Sequence, residues 1–413
     1  MKKIIVVLSI LIVAVTLLSF GVYADDPEAV VYVSDSGKNS NDGASADTPI
    51  ASLTTAYQKV ANGGTIVICG DKVVSTNFNT PITSGTVTIT SNYGGVDYRQ
   101  AGAELIFKYN MYLNGDTVFK DINIVVGASN KAIGCNSNKV VFDTGIVCTQ
   151  AEDVTTYLSI VGGSFDGSST RGDDTLPTNI TVNSGTWYTF RGANRASATS
   201  KTNGDVNITI NGGTFNGRFA AGGNPGVNGN INLTVNGGTF NSYVSASCIN
   251  NEAKGAVSGN VTFTINGGLF KGKVMLCDDF GDKVSGTGTM TITGGEFGED
   301  ATILGNFCAQ GSTLIYGDYA EASAIASKIS GFTTVVDTPT DPGDDNTGTG
   351  DNDQDNNDQD NNDQNNNDQN NNNEQIPDNP DTSDLSFVVV IVMIISGISA
   401  LAFLKSKKPS LTK

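Results

Sequence analysis

The chain has 413 residues, a formal net charge of −18 from 24 Lys plus Arg against 42 Asp plus Glu, and no histidine. Without imidazole, Ser-His-Asp and Cys-His nucleophilic systems, histidine acid–base catalysis and His-ligated metal sites are excluded. The acidic balance argues against nucleic acid or an anionic lipid surface as the main partner.

Residues 1–24 read as a signal peptide: Lys2 and Lys3, an apolar run from Ile4 to Phe20, then Val22-Tyr-Ala24 as a small-residue cleavage site. The mature chain is expected to start near Asp25 and to be secreted. In the segment that follows, 25–70, Leu53, Ala56, Tyr57 and Val60 fall at helical spacing and predict a short helix with one apolar face. The run from Gly37 to Gly43, with Asn39, Asn41 and Asp42, has the composition of a tight turn, which explains it better than a Ca²⁺ loop does.

Six copies of one phrase then dominate the chain. They are Leu158-Ser-Ile-Val-Gly-Gly-Ser-Phe165, Ile180-Thr-Val-Asn-Ser-Gly-Thr-Trp187, Ile208-Thr-Ile-Asn-Gly-Gly-Thr-Phe215, Leu233-Thr-Val-Asn-Gly-Gly-Thr-Phe240, Phe263-Thr-Ile-Asn-Gly-Gly-Leu-Phe270 and Met290-Thr-Ile-Thr-Gly-Gly-Glu-Phe297. The second turn residue recurs every 22 to 30 residues, the period of a solenoid. Large apolar side chains flank a Ser or Thr in every copy, an alternation that marks a strand with one buried face.

Only a stack lets every copy bury that face. The pairs Leu158/Ile160, Ile180/Val182, Ile208/Ile210, Leu233/Val235, Phe263/Ile265 and Met290/Ile292 are expected to form two interior columns. Phe165, Trp187, Phe215, Phe240, Phe270 and Phe297 should form a third. Two aliphatic side chains and one aromatic per coil contribute roughly 5 to 8 kcal/mol before conformational entropy is subtracted. Asn183, Asn211, Asn236 and Asn266 close four strands just before glycine-bearing turns, so the corner should take left-handed backbone, with the asparagines hydrogen-bonded to one another along the axis. Val161 and Thr293 interrupt that column. A β-sandwich has no reason to repeat one phrase in one register.

With Val31-Tyr-Val-Ser34, Thr48-Pro-Ile-Ala-Ser-Leu53 and Gly63-Gly-Thr-Ile-Val-Ile-Cys-Gly70, the chain resembles right-handed parallel β-helices of the pectate-lyase-like superfamily over about 25–336. The resemblance implies an all-β solenoid with short capping helices: an N-terminal cap at 25–70, coils at 71–316 and a C-terminal cap at 317–336. In the last of these, 320–329 carries helical spacing of small and apolar residues. Members that act on pectin typically carry a Gly-His-Gly motif and clustered Asp residues, and neither is legible here.

Residues 337–384 hold fifteen acidic residues and no Lys or Arg, with long Asn/Gln/Asp runs, and read as a disordered linker. Residues 385–404 form an uncharged apolar stretch long enough for a transmembrane helix, followed by a basic tail at 405–413 with Lys405, Lys407 and Lys408. Just before it lie Asn379, Pro380, Asp381, Thr382 and Ser383. Motif, apolar span and basic tail in this order resemble the sorting signals that sortases of Gram-positive bacteria join to cell-wall peptidoglycan. Asn379 and Ser383 depart from the usual Leu and Gly. A plain single-span anchor is the alternative, and either places the protein at the cell surface, cell-wall or membrane anchored.

Residues 25–336 alone carry 27 acidic and 18 basic residues, a net charge of −9. Six cysteines are too sparse for a disulfide scaffold; free buried thiols are expected, with a bridge between Cys248 and Cys277 as the alternative. Two carboxyl groups suffice for inverting glycoside hydrolysis, yet Asp173-Asp174 reads as a solvated turn. Asp278, Asp279 and Asp282 offer a weak Ca²⁺ candidate; no other cofactor is expected. Arg191, Arg218, Tyr243 and Lys273 lie just after the aromatic of their coils, with Arg195 close by, and similar offsets predict a cationic ridge suited to an acidic or neutral glycan. The outward Ser159, Thr181, Thr209, Thr234, Thr264 and Thr291 suit a strand, and flanking Asn, Tyr, Glu and Leu argue against an ice-binding face. The expected function is adhesion or binding of extracellular polysaccharide or a host-surface ligand, without catalysis. A polysaccharide lyase or glycosidase on the same fold and a ligand-free structural spacer are the alternatives.

Overall fold

Strands with one apolar face reach a dry interior only by lying on one another, and a repeated phrase lets them do so in constant register. The computed structural model describes residues 29–164, 176–195, 201–224, 226–248, 256–277, 284–306, 308–317 and 325–337. It shows a parallel β-solenoid whose main sheet stacks twelve strands in chain order, from Ala29–Val33 and Gly64–Ile68 through Thr178–Val182, Val206–Ile210, Ile231–Val235, Val261–Ile265 and Gly288–Ile292 to Ser312–Tyr316 and Thr334–Asp337. A second parallel sheet of ten short strands includes Ser159–Val161, Phe190–Arg191, Phe219–Ala220, Val244–Ser245, Val274–Met275 and Ile303–Leu304. Five two-residue strands carrying the aromatics join the two, and a four-stranded sheet replaces them in the N-terminal coils.

The inward columns form as the alternation requires. Ile180, Ile208, Leu233, Phe263 and Met290 are in register and 0 to 2% exposed, followed by Leu314. Trp187, Phe215, Phe240, Phe270 and Phe297 also align, and the rings from Phe215 to Phe297 stack face to face with centroids 4.9 to 5.2 Å apart. Phe165 lies outside the described residues.

The Leu158 phrase does not belong to this column. Ser159–Val161 is in the second sheet, where Ile160 pairs with Phe190 and Val161 with Arg191. The coil below Ile180/Val182 is supplied by Val140 and Phe142. An apolar strand followed by Gly-Gly reads alike at both corners of a coil. What sets the corners apart is the residue that ends the strand, Val161 in one and Asp143 in the other.

Asp143 anchors the corner ladder. Asn183 Nδ2 donates to Asp143 Oδ1 at 2.8 Å, and Asn211, Asn236 and Asn266 each donate to the Oδ1 of the asparagine below at 2.7 to 2.8 Å. Thr293 Oγ1 then donates to Asn266 Oδ1 at 2.7 Å, closing the series. The ladder therefore runs one way, from a pure acceptor to a hydroxyl donor. Beside it the second turn glycines hold φ of 91 to 106° from Gly213 to Gly295, and a Cβ on Gly237 would lie 2.6 Å from the Asn211 carbonyl oxygen. Asn236→Leu removes a donor and an acceptor from the ladder and should cost about 1 to 3 kcal/mol in denaturant unfolding, while Thr234→Val on the outward face should change little. Equal effects would mean that the two positions are not distinguished by the corner.

The expected helix, α1 (Leu53–Lys59), forms with Ser52 as its N-cap, accepting from the Thr55 amide. Its Leu53, Ala56 and Tyr57, with Val60 just beyond, are buried against the first coils. At the other end, Ile329–Ser330 and Thr334–Asp337 continue the second and main sheets, so the stack of coils extends through the range expected to be a cap. Of the segment 320–329, residues 320–324 lie outside the described residues. So do 1–28 and the linker, anchor and tail from 338 onward, and among the described residues no helix is long and apolar enough to cross a membrane.

The bridge in the structure is Cys277–Cys308, not Cys248–Cys277. Similar offsets from Gly-Gly did not bring Cys248 opposite Cys277, because the amide of Ala246 bonds to Met275 and so pairs position 246 with 276. Cys69, Cys135 and Cys148 are free thiols. Burial pushes the Cys148 thiol up to about 12 and Cys135 higher still, which leaves both unreactive.

Candidate functional site

The second sheet fixes which outward side chains share a line. Phe190, Phe219, Val244, Val274 and Ile303 are in register and fully buried. The residue before each is therefore outward, and these residues stack: Thr189, Arg218, Tyr243, Lys273 and Thr302, then Lys328 before Ile329. Backbone bonds confirm the line, since the carbonyls of Arg218, Tyr243, Lys273, Thr302 and Lys328 accept from Phe190, Phe219, Val244, Val274 and Ile303 at 2.7 to 3.1 Å. Adjacent rungs of such a sheet lie about 4.8 Å apart. The Arg218 guanidinium lies over the Tyr243 ring, 5.3 Å from its centroid, a cation–π contact that holds both side chains. Arg218 and Lys273 are exposed, Tyr243 partly so. Lys328 Nζ donates to the carbonyls of Gly298 and Glu299 at 3.0 and 2.9 Å and is thereby held in the framework.

Arg191 is not in this line. It pairs with Ala220, two residues beyond the Arg218 position, because it follows its aromatic by four residues instead of three and the connection after Trp187 is one residue shorter than that after Phe215. Its register neighbours Val161, Ala220, Ser245 and Met275 are buried, so Arg191 sits in a recess instead of on a ridge. A cavity of about 180 Å³ opens there, lined in part by Asn130, Ser159, Tyr188, Thr189, Arg191 and Arg195. Burial lowers the proton affinity of Arg191, and the charges of Arg195 and Arg218 lower it further, so three guanidiniums share one neighbourhood. Among the described residues, no carboxylate lines the cavity. Ion pairs join Lys72 to Asp35 and Arg99 to Asp97 and Asp121 in earlier coils.

Chemically, this is an anion-binding arrangement. Guanidiniums form paired charge-assisted hydrogen bonds to planar acid groups, and the lining hydroxyl and amide groups suit the hydroxyls of a sugar. Tyr188, Asn130 and Thr189 carried no signal in the sequence and Ser159 only that of an outward strand residue, because their meeting depends on the register of the second sheet.

The outward face of the main sheet also differs from expectation. Beside Thr181, Thr209, Thr234, Thr264 and Thr291 runs a second rank, Asn179, Asn207, Asn232, Thr262 and Thr289, with no Tyr, Glu or Leu in it. Ser159 belongs to the other sheet. Asn207 Nδ2 donates to Asn179 at 3.0 Å and Asn232 Nδ2 to Asn207 at 2.8 Å, so this rank stabilises the stack as a second amide ladder.

Asp278, Asp279 and Asp282, the pair Asp173-Asp174, and the motif from Asn379 through Pro380, Asp381 and Thr382 to Ser383 lie outside the described residues. Among the described residues no three His, Cys, Asp or Glu side chains are grouped to hold a metal ion. No protein-family model, curated protein or solved structure matches the chain. Fold and site thus define a parallel β-solenoid with a cationic patch on its second sheet.

Proposed function

We propose that this chain is a secreted, surface-anchored β-solenoid that binds an extracellular acidic polysaccharide without cleaving it. The observation that carries this reading is the meeting of Arg191 and Arg195 at one cavity, with the charge of Arg218 close enough to act on Arg191 and Tyr243 and Lys273 next along the axis, in a domain of net charge −9. The parallel coils agree with a right-handed β-helix of the pectate-lyase-like kind, the hand that parallel crossovers almost always take. The chain's departure from pectin-acting members, the lack of histidine, favours binding over catalysis.

Replacing Arg191, Arg218 and Lys273 together with Gln should abolish retention on the bound acidic polysaccharide without lowering the melting temperature. Binding by the parent should weaken as salt rises, because exposed charges are screened over about 8 to 10 Å. Polymer cleavage by the parent and its loss in the triple variant would instead establish the enzyme reading.

The surface location rests on the signal at 1–24 and on the order of motif, apolar span and lysine tail after residue 378. If a sortase cuts after Thr382, the mature protein lacks 383–413 and leaves the cell only on wall digestion. Thr382→Ala should then move it from the wall to the membrane fraction. An unchanged fractionation, with release by detergent, would mean a plain membrane anchor.

A further inference from the structure

The first coils carry a second built feature, on the outward face of the main sheet. There Tyr32, Val67 and Thr90 are in register on adjacent strands, and Val67 and Thr90 are fully buried although they point away from the core. The chain after Thr90 folds back over them. Asn92–Tyr93 pairs antiparallel with Val96–Asp97 through Gly94 and Gly95, whose φ of 62 and 83° suit a tight hairpin turn, and a single 3-10 turn, Tyr98–Ala101, follows. Arg99 pins this detour: its guanidinium donates to both carboxylate oxygens of Asp97 at 2.8 Å and to the Gly145 carbonyl of a later coil at 2.7 Å. Tyr93 and Tyr98 are thereby held against the Tyr32 ring.

The two rings stand at 84° and 82° to that of Tyr32, with centroids 6.4 and 6.1 Å from its own. A group resting about 4.4 Å from each of two perpendicular faces sets their centroids about 6.2 Å apart and lies within cation–π range of both. Among the described residues, Tyr93 and Tyr98 make no ring contact with each other, and no Lys or Arg lies over any of the three rings. Tyr93 is 38% exposed and Tyr32 and Tyr98 are partly so, which leaves the cluster open to solvent. Burial raises the proton affinity of the Tyr98 phenol, and Tyr32, Cys69 and the Asp47 carboxylate raise it further, so the local field favours positive charge. A flat sugar ring stacks on one aromatic face and is obstructed by walls perpendicular to it, whereas a compact cation uses several faces at once.

We infer that Tyr32, Tyr93 and Tyr98 form an aromatic cage for a quaternary ammonium group, with Asp47 as the nearby counter-charge. Full methylation selects such a group over a lysine-type ammonium, which is strongly hydrated and finds no hydrogen-bond acceptor on the ring faces. The cage lies in the first coils, apart from the arginine cavity, and does not rest on the glycan reading.

The test is calorimetric titration of the full-length protein in detergent solution with choline, and with its neutral isostere in which a tert-butyl group stands in for trimethylammonium. Choline should bind about tenfold more tightly, the worth of a cation against aromatic faces. Tyr93→Ala, at an exposed position of the hairpin, should weaken choline binding about tenfold with the melting temperature unchanged, while Tyr93→Phe, which keeps the ring, should stay within about twofold of the parent. Glycerophosphocholine separates the sources of the group: binding as tight as choline's means an ester headgroup, and weaker binding a free cation. Equal affinity of the parent for choline and its isostere, or no binding of choline, overturns the cage without recourse to any variant. A folded Tyr93→Ala protein that binds choline as the parent does overturns it as well. Retention on acidic polysaccharide is read separately and is untouched by these outcomes.

Discussion

Phe240→Ala should destabilise the solenoid by about 3 to 5 kcal/mol, read as a shift of the denaturant midpoint at unchanged slope. Phe240 is 1% exposed and sits in the middle of the aromatic column. Its ring stacks on Phe215 at 5.0 Å and on Phe270 at 4.9 Å, and meets Phe219 edge to face at 5.4 Å. Truncation loses the transfer energy of the ring and leaves a cavity that neighbours on two adjacent rungs cannot close, since each is held by its own strand. Phe297, at the end of the column and only partly buried, has one stacked neighbour, so Phe297→Ala should cost clearly less. A cost at Phe240 no larger than at Phe297 would show that the stacked column is not what holds these coils together.

The architecture was legible because one physical requirement repeats. Strand, amide corner, glycine with positive φ and buried aromatic recur together, and each constrains the others, so the coil from Ile180 to Phe297 follows from the sequence almost residue by residue. The reading failed where the phrase lost one of its parts. At Val161 the amide was missing, and the phrase belonged to the other sheet. At Asp143 a carboxylate stood in for the amide and Gly145, at φ 73°, for the turn, so the true neighbouring coil went unrecognised.

The site was legible in type but not in placement. Equal offsets after Phe215, Phe240 and Phe270 did become one line, since those three connections have equal length. Arg191 follows Trp187 by four residues and the connection there is shorter by one, so together these set it two residues past the line, in a recess with Arg195. Counting from a landmark locates a side chain on a solenoid only while every coil has the same length. The disulfide was out of reach for the same reason, because its partners lie in coils whose connections differ.

Reduction should lower the stability of the C-terminal coils by about 3 to 4 kcal/mol, the loop-closure value for cysteines 31 residues apart. The Cys277–Cys308 bridge joins consecutive coils across a connection that contributes no other covalent tie, and a solenoid's stability is close to a sum over neighbouring coils. Loss of the bridge should therefore open the stack locally from its C-terminal side, with earlier coils, which α1 closes at their far end, persisting. Limited proteolysis with and without reductant reads this directly: reductant should expose sites beyond Cys277 while the segment before it stays protected. Cys277→Ser should reproduce the reduced pattern and no longer respond to reductant, whereas Cys135→Ala, at a buried thiol outside the bridge, should keep its response. If reductant leaves the digestion pattern of the parent unchanged, the bridge contributes nothing to the coils it joins, and the packing of Ile303, Leu314 and the paired strands must hold that end alone.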